Sequence, residues 1–271
     1  MPELPEVEVT RRGISHVLLN AKIVRVIHDD KKLREPYTEN IQDIEGGTIY
    51  AVDRRAKYII VRTDKGSLIL HLGMSGHLHI SSDSKLQKHD HFELVLDNEK
   101  NVILNDTRRF GLVLYVPADQ EPLEDRHLKD LGPEPFDEKF NAHYLLSKFK
   151  GKKKTIKQTL MDGEIVVGVG NIYASEILFA SKILPMRTAS SITEREAELI
   201  VEHTRRILKE SILNGGTTIR DFEGADGQKG YFVQNLFVYG HEGKPCKLCG
   251  SAIEMVTLGQ RSTYYCPKCQ K

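Results

Sequence analysis

PCKLCGSAIEMVTLGQRSTYYCPKC, residues 245–269, holds all four cysteines of a 271-residue chain. Cys246 and Cys249 form one C-x-x-C, Cys266 and Cys269 a second, and sixteen residues separate the pairs. Each pair can present two thiolates to one tetrahedral ion, which is the spacing of a four-cysteine zinc ribbon. Structural disulfides have little use in a reducing compartment. Four sulfur ligands leave no position for water, so the expected cofactor is one structural Zn2+. Between the pairs, Ile253, Met255 and Thr257 alternate, as do Ser262, Tyr264 and Cys266, around Leu258-Gly259-Gln260-Arg261. That pattern predicts a hairpin with Arg261 at or near its tip. From there Arg261 can reach a phosphate or a reaction centre, or be an ordinary exposed arginine.

Upstream, helical periodicity dominates residues 142–214. AHYLLSKFK, TIKQTLMDG, NIYASEILFASKI and TEREAELIVEHTRRILKESIL read as helices, the last with Thr193 at its start and a stripe through Ala197, Ile200, Val201 and Ile207. Residues 20–116 read as strands: KIVRVI, GTIYAVD, YIIVRT, SLILHL, HFELVL, NVILND and LVLYV, separated by polar or glycine-containing turns. Successive strands of this kind predict a sandwich or barrel-like domain. A first helix is expected over 5–19, with Val7, Ile14, Val17 and Leu18 on one face. Residues 117–141 are acidic and proline-rich, a domain boundary. Residues 215–236 are glycine-rich and poorly periodic, a candidate mobile loop.

The formal net charge is only +1, which excludes a uniformly basic nucleic-acid binder but not a locally basic one. Charge is unevenly spread. Residues 116–140 hold eight acids against three bases, whereas residues 146–160 hold six lysines and no acid. That run (Lys148, Lys150, Lys152, Lys153, Lys154 and Lys157) fits a phosphate backbone or a solvated loop. No apolar run is long enough for a transmembrane helix, and the acidic start is unlike a signal peptide, so no membrane partner and a cytoplasmic location are expected.

Several segments carry chemistry with a plainer alternative beside it. Met1 precedes a small residue, so its removal would leave Pro2 with a free secondary amine, a nucleophile for a carbonyl-like carbon. Glu3 beside it can move protons. Equally, Pro5 and Glu6 suit the first turn of a helix. Lys57, in RRAKY, sits in a turn between strands. Met74, in HLGMSG, sits in a glycine turn where an apolar tip can wedge between bases, or cover a satellite core. Arg108, Arg109 and Phe110, in DTRRFG, sit in another turn, where arginine can read a base edge and phenylalanine can stack. Asn171, in GVGNIYASE, can cap a helix or hold a phosphate there. The backbone amides of GADGQKGYF can clasp an extruded base.

Taken in order, MPELPEVE, RRAKY, HLGMSG, DTRRFG, GVGNIYASE and QRSTYYCPKCQK closely resemble the bacterial formamidopyrimidine-DNA glycosylase family, from residue 2 to the last residue. The resemblance implies an α+β fold. It has an N-terminal helix and β-sandwich catalytic domain (2–116), a linker (117–141), a helix-two-turn-helix domain with the lesion-binding loop (142–236) and a four-cysteine zinc-finger hairpin (237–271). It implies a base-excision repair enzyme, a glycosylase and AP lyase. The partner is double-stranded DNA containing oxidised purines, namely 8-oxoguanine and formamidopyrimidines, and the enzyme acts as a monomer.

By the same resemblance Pro2 is the Schiff-base nucleophile, Glu3 the acid/base partner, Lys57 the proton donor of β-elimination and Arg261 a phosphate contact linked with δ-elimination. Met74, Arg108 and Phe110 fill the gap left by the flipped base, and Arg108 reads the opposite cytosine. His89, Lys154 and Asn171 contact phosphates, and residues 217–233 close over the lesion. Two departures stand out: Val9 where many relatives have threonine, and Ala56 where glycine is frequent. The endonuclease VIII type, acting on oxidised pyrimidines, is the nearest rival, and its start typically reads Pro-Glu-Gly-Pro-Glu. Leu4 with the Arg108–Phe110 pair favours the purine branch. A non-catalytic zinc-ribbon binder of damaged DNA is the alternative from another class.

Overall fold

Fifteen residues after Glu3 form the first helix, and they do so because both of its ends and one face are specified. In the computed structural model, which describes residues 2–83, 87–217 and 232–271, α1 runs Leu4–Leu18. Glu3 is its N-cap, Pro5 lies in the first turn where no amide partner is needed, and Glu6 accepts the Glu3 amide at 2.8 Å, closing a capping box. The buried face is Leu4, Val7, Ile14, Val17 and Leu18. Each such side chain, fully buried, contributes about 1.5–3 kcal/mol.

The chain divides into two units, residues 1–130 with 214–233, and residues 131–213 with 234–271. The first is α1 on a β-sandwich. Its strands are β1 (Ile23–His28), β2 (Ile49–Arg55), β3 (Tyr58–Thr63), β4 (Gly66–His71), β5 (His77–Ser81), β6 (Asp90–Leu96), β7 (Asn101–Asn105) and β8 (Leu112–Pro117). One sheet has the order β1-β6-β7-β5 and the other β2-β3-β4-β8, every pairing antiparallel. Val26, Leu78, Phe92, Leu94, Val102 and Leu104 of the first sheet share a core with Val52, Ile59, Val61, Leu68, Leu70 and Val113 of the second. Val7, Ile14, Val17 and Leu18 of α1 join the same core.

β5 was not expected. His-Leu-His-Ile follows directly on the glycines of HLGMSG, and two histidines hide the alternation. In the sheet, Leu78 is buried in the core while His77 and His79 take the alternate positions, as strand periodicity requires. The turn between β2 and β3 is Ala56-Lys57. Ala56 has φ +55° and is buried. The departure from glycine noted in the sequence therefore falls on a backbone position that favours glycine.

In the second unit, α2 (Ala142–Phe149) is capped by the Asn141 side chain, which accepts the Tyr144 amide. α3 (Ile156–Leu160) begins with a Thr155/Gln158 capping box. α4 (Asn171–Ala180) follows the turns of 161–170, where the Ile165 and Val166 amides both donate to the Asp162 carbonyl. α5 (Glu194–Leu213) starts behind Thr193, whose hydroxyl accepts the Glu196 amide, as the sequence predicts. Ile177 and Leu178 of α4 and Ile200 and Leu208 of α5 are buried. The hairpin is β9 (Glu254–Leu258) and β10 (Arg261–Tyr265), with Arg261 paired to Leu258. The two-residue turn, Gly259 (φ +54°) and Gln260 (φ +60°), needs left-handed backbone at both positions, which matches the twist of the strands. No helix among the described residues is long and apolar enough to cross a membrane.

Candidate active site and nucleic-acid interface

Pro2 and Glu3 lie at the head of α1, both buried. The Glu6 carboxylate behind them takes two amides, Glu3 N–H through Oε2 (2.8 Å) and Thr217 N–H through Oε1 (2.8 Å). Glu6 thus ties the Pro2–Glu3 pair to Thr217, the start of residues 217–233. Of that segment, residues 218–231 lie outside the described residues, and so do most of GADGQKGYF and the expected closure over a lesion.

The turn that carries Lys57 is reached from α1 by ion pairs and one hydrogen bond to its backbone. Glu8 accepts from Arg11, Arg12 and Arg54, and Arg54 donates its Nη1 to the Ala56 carbonyl at 2.8 Å. The turn that carries Lys57 is therefore braced on the helix that carries Pro2 and Glu3. Burial pushes the Glu8 carboxyl up, but the three arginines outweigh it and hold it below the usual carboxylate range.

His71, at the end of β4, was missed by the sequence reading although it opens HLGMSG. Its Nδ1 accepts the Gly73 amide at 3.0 Å, so its proton sits on Nε2. Burial, with Arg34, Lys57 and His127 nearby, lowers it to about 3. It is a neutral hydrogen-bond donor beside Lys57.

The two turns proposed to face a base pair share one carboxylate. Asp106 is fully buried; its Oδ1 accepts the Ser75 hydroxyl (2.8 Å) and the Arg108 amide (3.2 Å), and its Oδ2 accepts the Gly111 amide (2.7 Å). Gly73 packs against the Phe110 and Gly111 backbone so closely that a Cβ there would lie 2.4 Å from Phe110 C. Phe110 is exposed, with the Arg108 guanidinium 4.8 Å above its ring. Met74 is half-buried. The structure brings Met74, Arg108 and Phe110 onto neighbouring turns. His89 (φ +75°) accepts the Asp106 amide through its carbonyl.

In the second unit, Lys157 is 1% exposed. Its ammonium donates to Asn171 Oδ1 (2.6 Å), Thr263 Oγ1 (2.6 Å) and the Ser262 carbonyl (3.1 Å). It leaves the lysine run of 148–157 for an interior position. Asn171 also donates to the Ser262 carbonyl at 3.0 Å. Gly170 occupies the N-cap and makes no side-chain cap bond, so Asn171 is the first helical residue and not the cap. Its side chain is spent on the hairpin instead. Lys154 and Arg261 are both exposed and line one cavity of about 400 Å3, with Gln158 and Asp162. Glu176 of α4, buried, accepts the amides of Phe237, Val238 and Tyr239, upstream of the hairpin, at 2.8–3.0 Å. Burial raises its carboxyl, against those three amides.

The four cysteine sulfurs lie within 4.8 Å of one another, with Cys246–Cys269 at 3.9 Å and Cys249–Cys266 at 3.5 Å. A tetrahedron of Zn–S bonds near 2.3 Å has edges of about 3.8 Å, so the donor set fits one structural zinc. Cys246 and Cys266 pack with Phe179, Val238 and Ile253 in a small core of their own.

Residues 1–113 match the N-terminal domain of formamidopyrimidine-DNA glycosylase, 131–223 its H2TH domain, and 243–271 the zinc finger found in FPG and IleRS. The chain belongs to the formamidopyrimidine-DNA glycosylase family. It is 48% identical to the formamidopyrimidine-DNA glycosylase of Vibrio vulnificus (strain CMCP6), covering 100% of both chains. To that of Haemophilus influenzae (strain 86-028NP) it is 46% identical, over 100% of this chain and 99% of the relative. Among solved structures it is similar to the MutM (Fpg) protein of Thermus thermophilus, with TM-score 0.90 and 36% identity over 99% and 98% of the two chains. It is also similar to Lactococcus lactis Fpg in complex with DNA containing an abasic site, with TM-score 0.90 and 32% identity over 99% of each chain. Membership in the formamidopyrimidine-DNA glycosylase family joins the sandwich, the H2TH helices and the zinc hairpin in one enzyme type. The α+β class, its three parts and the zinc are as the sequence implies.

Proposed function

We propose that this chain is a bifunctional DNA glycosylase and AP lyase that excises oxidised purines from duplex DNA. The observation that carries the reading is the Pro2–Glu3 pair at the head of α1. Removal of Met1 makes Pro2 a secondary amine at the positive end of a helix, and both that position and burial favour the neutral amine over the ammonium. The amine attacks C1′ of the flipped nucleotide. The bond from C1′ to the base breaks, and the base leaves with that electron pair and takes a proton. Glu3 protonates the ring oxygen as the sugar opens, leaving an iminium between Pro2 and C1′. The iminium acidifies C2′; loss of that proton expels the 3′ phosphate, with Lys57 as proton donor. A second elimination, associated with Arg261, expels the 5′ phosphate. Addition of water to the iminium carbon and loss of the amine free Pro2.

The base must leave the stack first. Met74, Arg108 and Phe110 fill its place, Arg108 contacts the opposite cytosine, and His89, Lys154 and Asn171 contact phosphates. The enzyme acts as a monomer on DNA in the cytoplasm. The Lactococcus lactis relative was solved with DNA containing N7-benzyl-Fapy-dG and also with DNA containing an oxidised pyrimidine, so damaged-DNA binding is supported for both lesion classes and the purine preference rests on Leu4 and the Arg108–Phe110 pair.

Borohydride trapping on a duplex with one 8-oxoguanine opposite cytosine, with the crosslinked peptide mapped by mass spectrometry, tests the reading. An adduct at Pro2 is expected. Trapping only on an oxidised-pyrimidine duplex would move the chain to the endonuclease VIII type. Binding to both without any adduct would overturn the catalytic reading.

A further inference from the structure

Arg108 and Phe110 have roles at the proposed base-pair contact; Arg109, between them, turns the other way. Its backbone is left-handed (φ +55°), a conformation that side-chain-bearing residues rarely adopt. Its guanidinium leaves the exposed tip and meets the carboxylate of Asp29, just beyond the end of β1, through Nη2 to Oδ2 and Nη1 to Oδ1. Nη1 also donates to the Lys31 carbonyl at 2.9 Å. The pairing spans 80 residues of sequence.

Asp29 holds a second partner, His91 of β6. His91 Nδ1 lies 3.1 Å from Asp29 Oδ2, and His91 Nε2 lies 3.0 Å from the Asp106 carbonyl. A carbonyl and a carboxylate both only accept, so bridging them takes a proton on each ring nitrogen, Nδ1–H donating to Asp29 and Nε2–H to the Asp106 carbonyl. The Asp29 amide also donates to the His91 carbonyl at 3.2 Å, and the Tyr37 hydroxyl to the same carbonyl at 2.7 Å. One carboxylate therefore grips the turn at both ends: directly at Arg109, and through His91 at Asp106. Burial pushes the Asp29 carboxyl up, but Arg109 and His91 outweigh it, and it stays ionised below the usual range. Arg108 and Phe110, on either side of the gripped residue, project to the exposed tip as a stacked pair.

We propose that Asp29, acting through Arg109 and His91, is a positioning residue that presets the Arg108–Phe110 tip and thereby governs discrimination of the base opposite the lesion. The inference rests on the reading of Arg108 as the contact to the opposite base. Bidentate base contacts need a fixed guanidinium approach, and a backbone that must hold a left-handed residue beside that guanidinium keeps it only while its anchor is in place. Asp29 itself touches no reacting atom.

The test compares Asp29→Asn, Asp29→Glu and Arg108→Ala with the parent chain. Single-turnover cleavage is measured on 8-oxoguanine opposite cytosine and opposite adenine, with β-elimination on a single-stranded abasic oligonucleotide as the reference. Asp29→Asn is expected to lower the cytosine-over-adenine ratio about tenfold, the size of one misaligned base contact. The loss should fall mainly in the enzyme concentration needed for half-maximal rate. Single-strand cleavage should stay within about twofold, since no opposite base exists there to read. Asp29→Glu should restore most of the ratio. On an Arg109→Met background, Asp29→Asn should cost less than it does alone, because the Arg109 arm is already lost and only the His91 arm remains.

If Arg108→Ala collapses the ratio and Asp29→Asn leaves it intact, the role of Asp29 is overturned and the reading of Arg108 stands. An equal loss on duplex and single strand would mark Asp29 as merely structural, which also overturns the proposal. Should Arg108→Ala leave the ratio intact, the underlying reading fails, and the proposal with it.

Discussion

Lys157 and Asn171 are joined by a 2.6 Å hydrogen bond made inside the protein, from a lysine that sequence alone places on a basic surface run. The same ammonium holds Thr263 and Ser262 of β10, so one charge sets the start of α4 and the strand that follows Arg261. Lys157→Met leaves three acceptors without that donor. We expect a stability loss of about 3 kcal/mol, from acceptors that lose this donor at about 1–3 kcal/mol each, the Ser262 carbonyl keeping its bond from Asn171. Duplex affinity should fall with it, because Asn171 and the hairpin lose their common anchor. Thermal unfolding and a duplex titration measure both; a parent-like melting temperature would contradict the buried-anchor reading.

His71 makes stability depend on pH in one direction. Its folded-state value is about 3, against about 6.5 for a free histidine. Between these values the unfolded chain binds more protons than the folded one. Stability is therefore full above about pH 6.5 and declines as pH falls toward 3. His71→Gln should flatten the acid limb of urea unfolding midpoints between about pH 7 and pH 5. An unchanged slope would show that other groups set it.

Zinc should be present at one ion per chain, held by Cys246, Cys249, Cys266 and Cys269. Its removal by a chelator takes away the link that holds the four cysteines around the small cluster of Phe179, Val238 and Ile253. We expect β9 and β10 to lose protection in hydrogen exchange, together with duplex binding, while the β-sandwich amides keep theirs. Uniform loss across both units would instead make the metal a global fold requirement.

Ala56 occupies a left-handed position next to Lys57. Glycine removes a conformational cost of about 1–2 kcal/mol but adds about 0.5–1 kcal/mol of unfolded-state entropy. Ala56→Gly is expected to be neutral or stabilising by at most about 1 kcal/mol, read from denaturant midpoints. A clear destabilisation would mean that the buried methyl contributes more through packing than its strain costs.

The parts readable from sequence are those written in local pattern. The paired C-x-x-C motifs place the zinc, Gly259-Gln260 between alternating strands places the hairpin, Thr193 starts α5, and Pro5 with Glu6 starts α1. Each depends on residues within a few positions of one another, where periodicity, capping and turn geometry act directly on the chain. β5 escaped because two histidines in a five-residue strand leave too few apolar positions to show a period.

What only the tertiary structure decided lies at long sequence separation. Asp29 finds Arg109, Arg54 joins Glu8 to the Lys57 turn, Thr217 reaches Glu6, Lys157 turns inward to Thr263, and Asn171 gives its side chain to the hairpin instead of its own helix end. A charged side chain carries the same letter whether it faces water or three buried acceptors. The difference comes from desolvation and from the partners that folding brings to it, and those are properties of the packed chain and not of any short stretch of it.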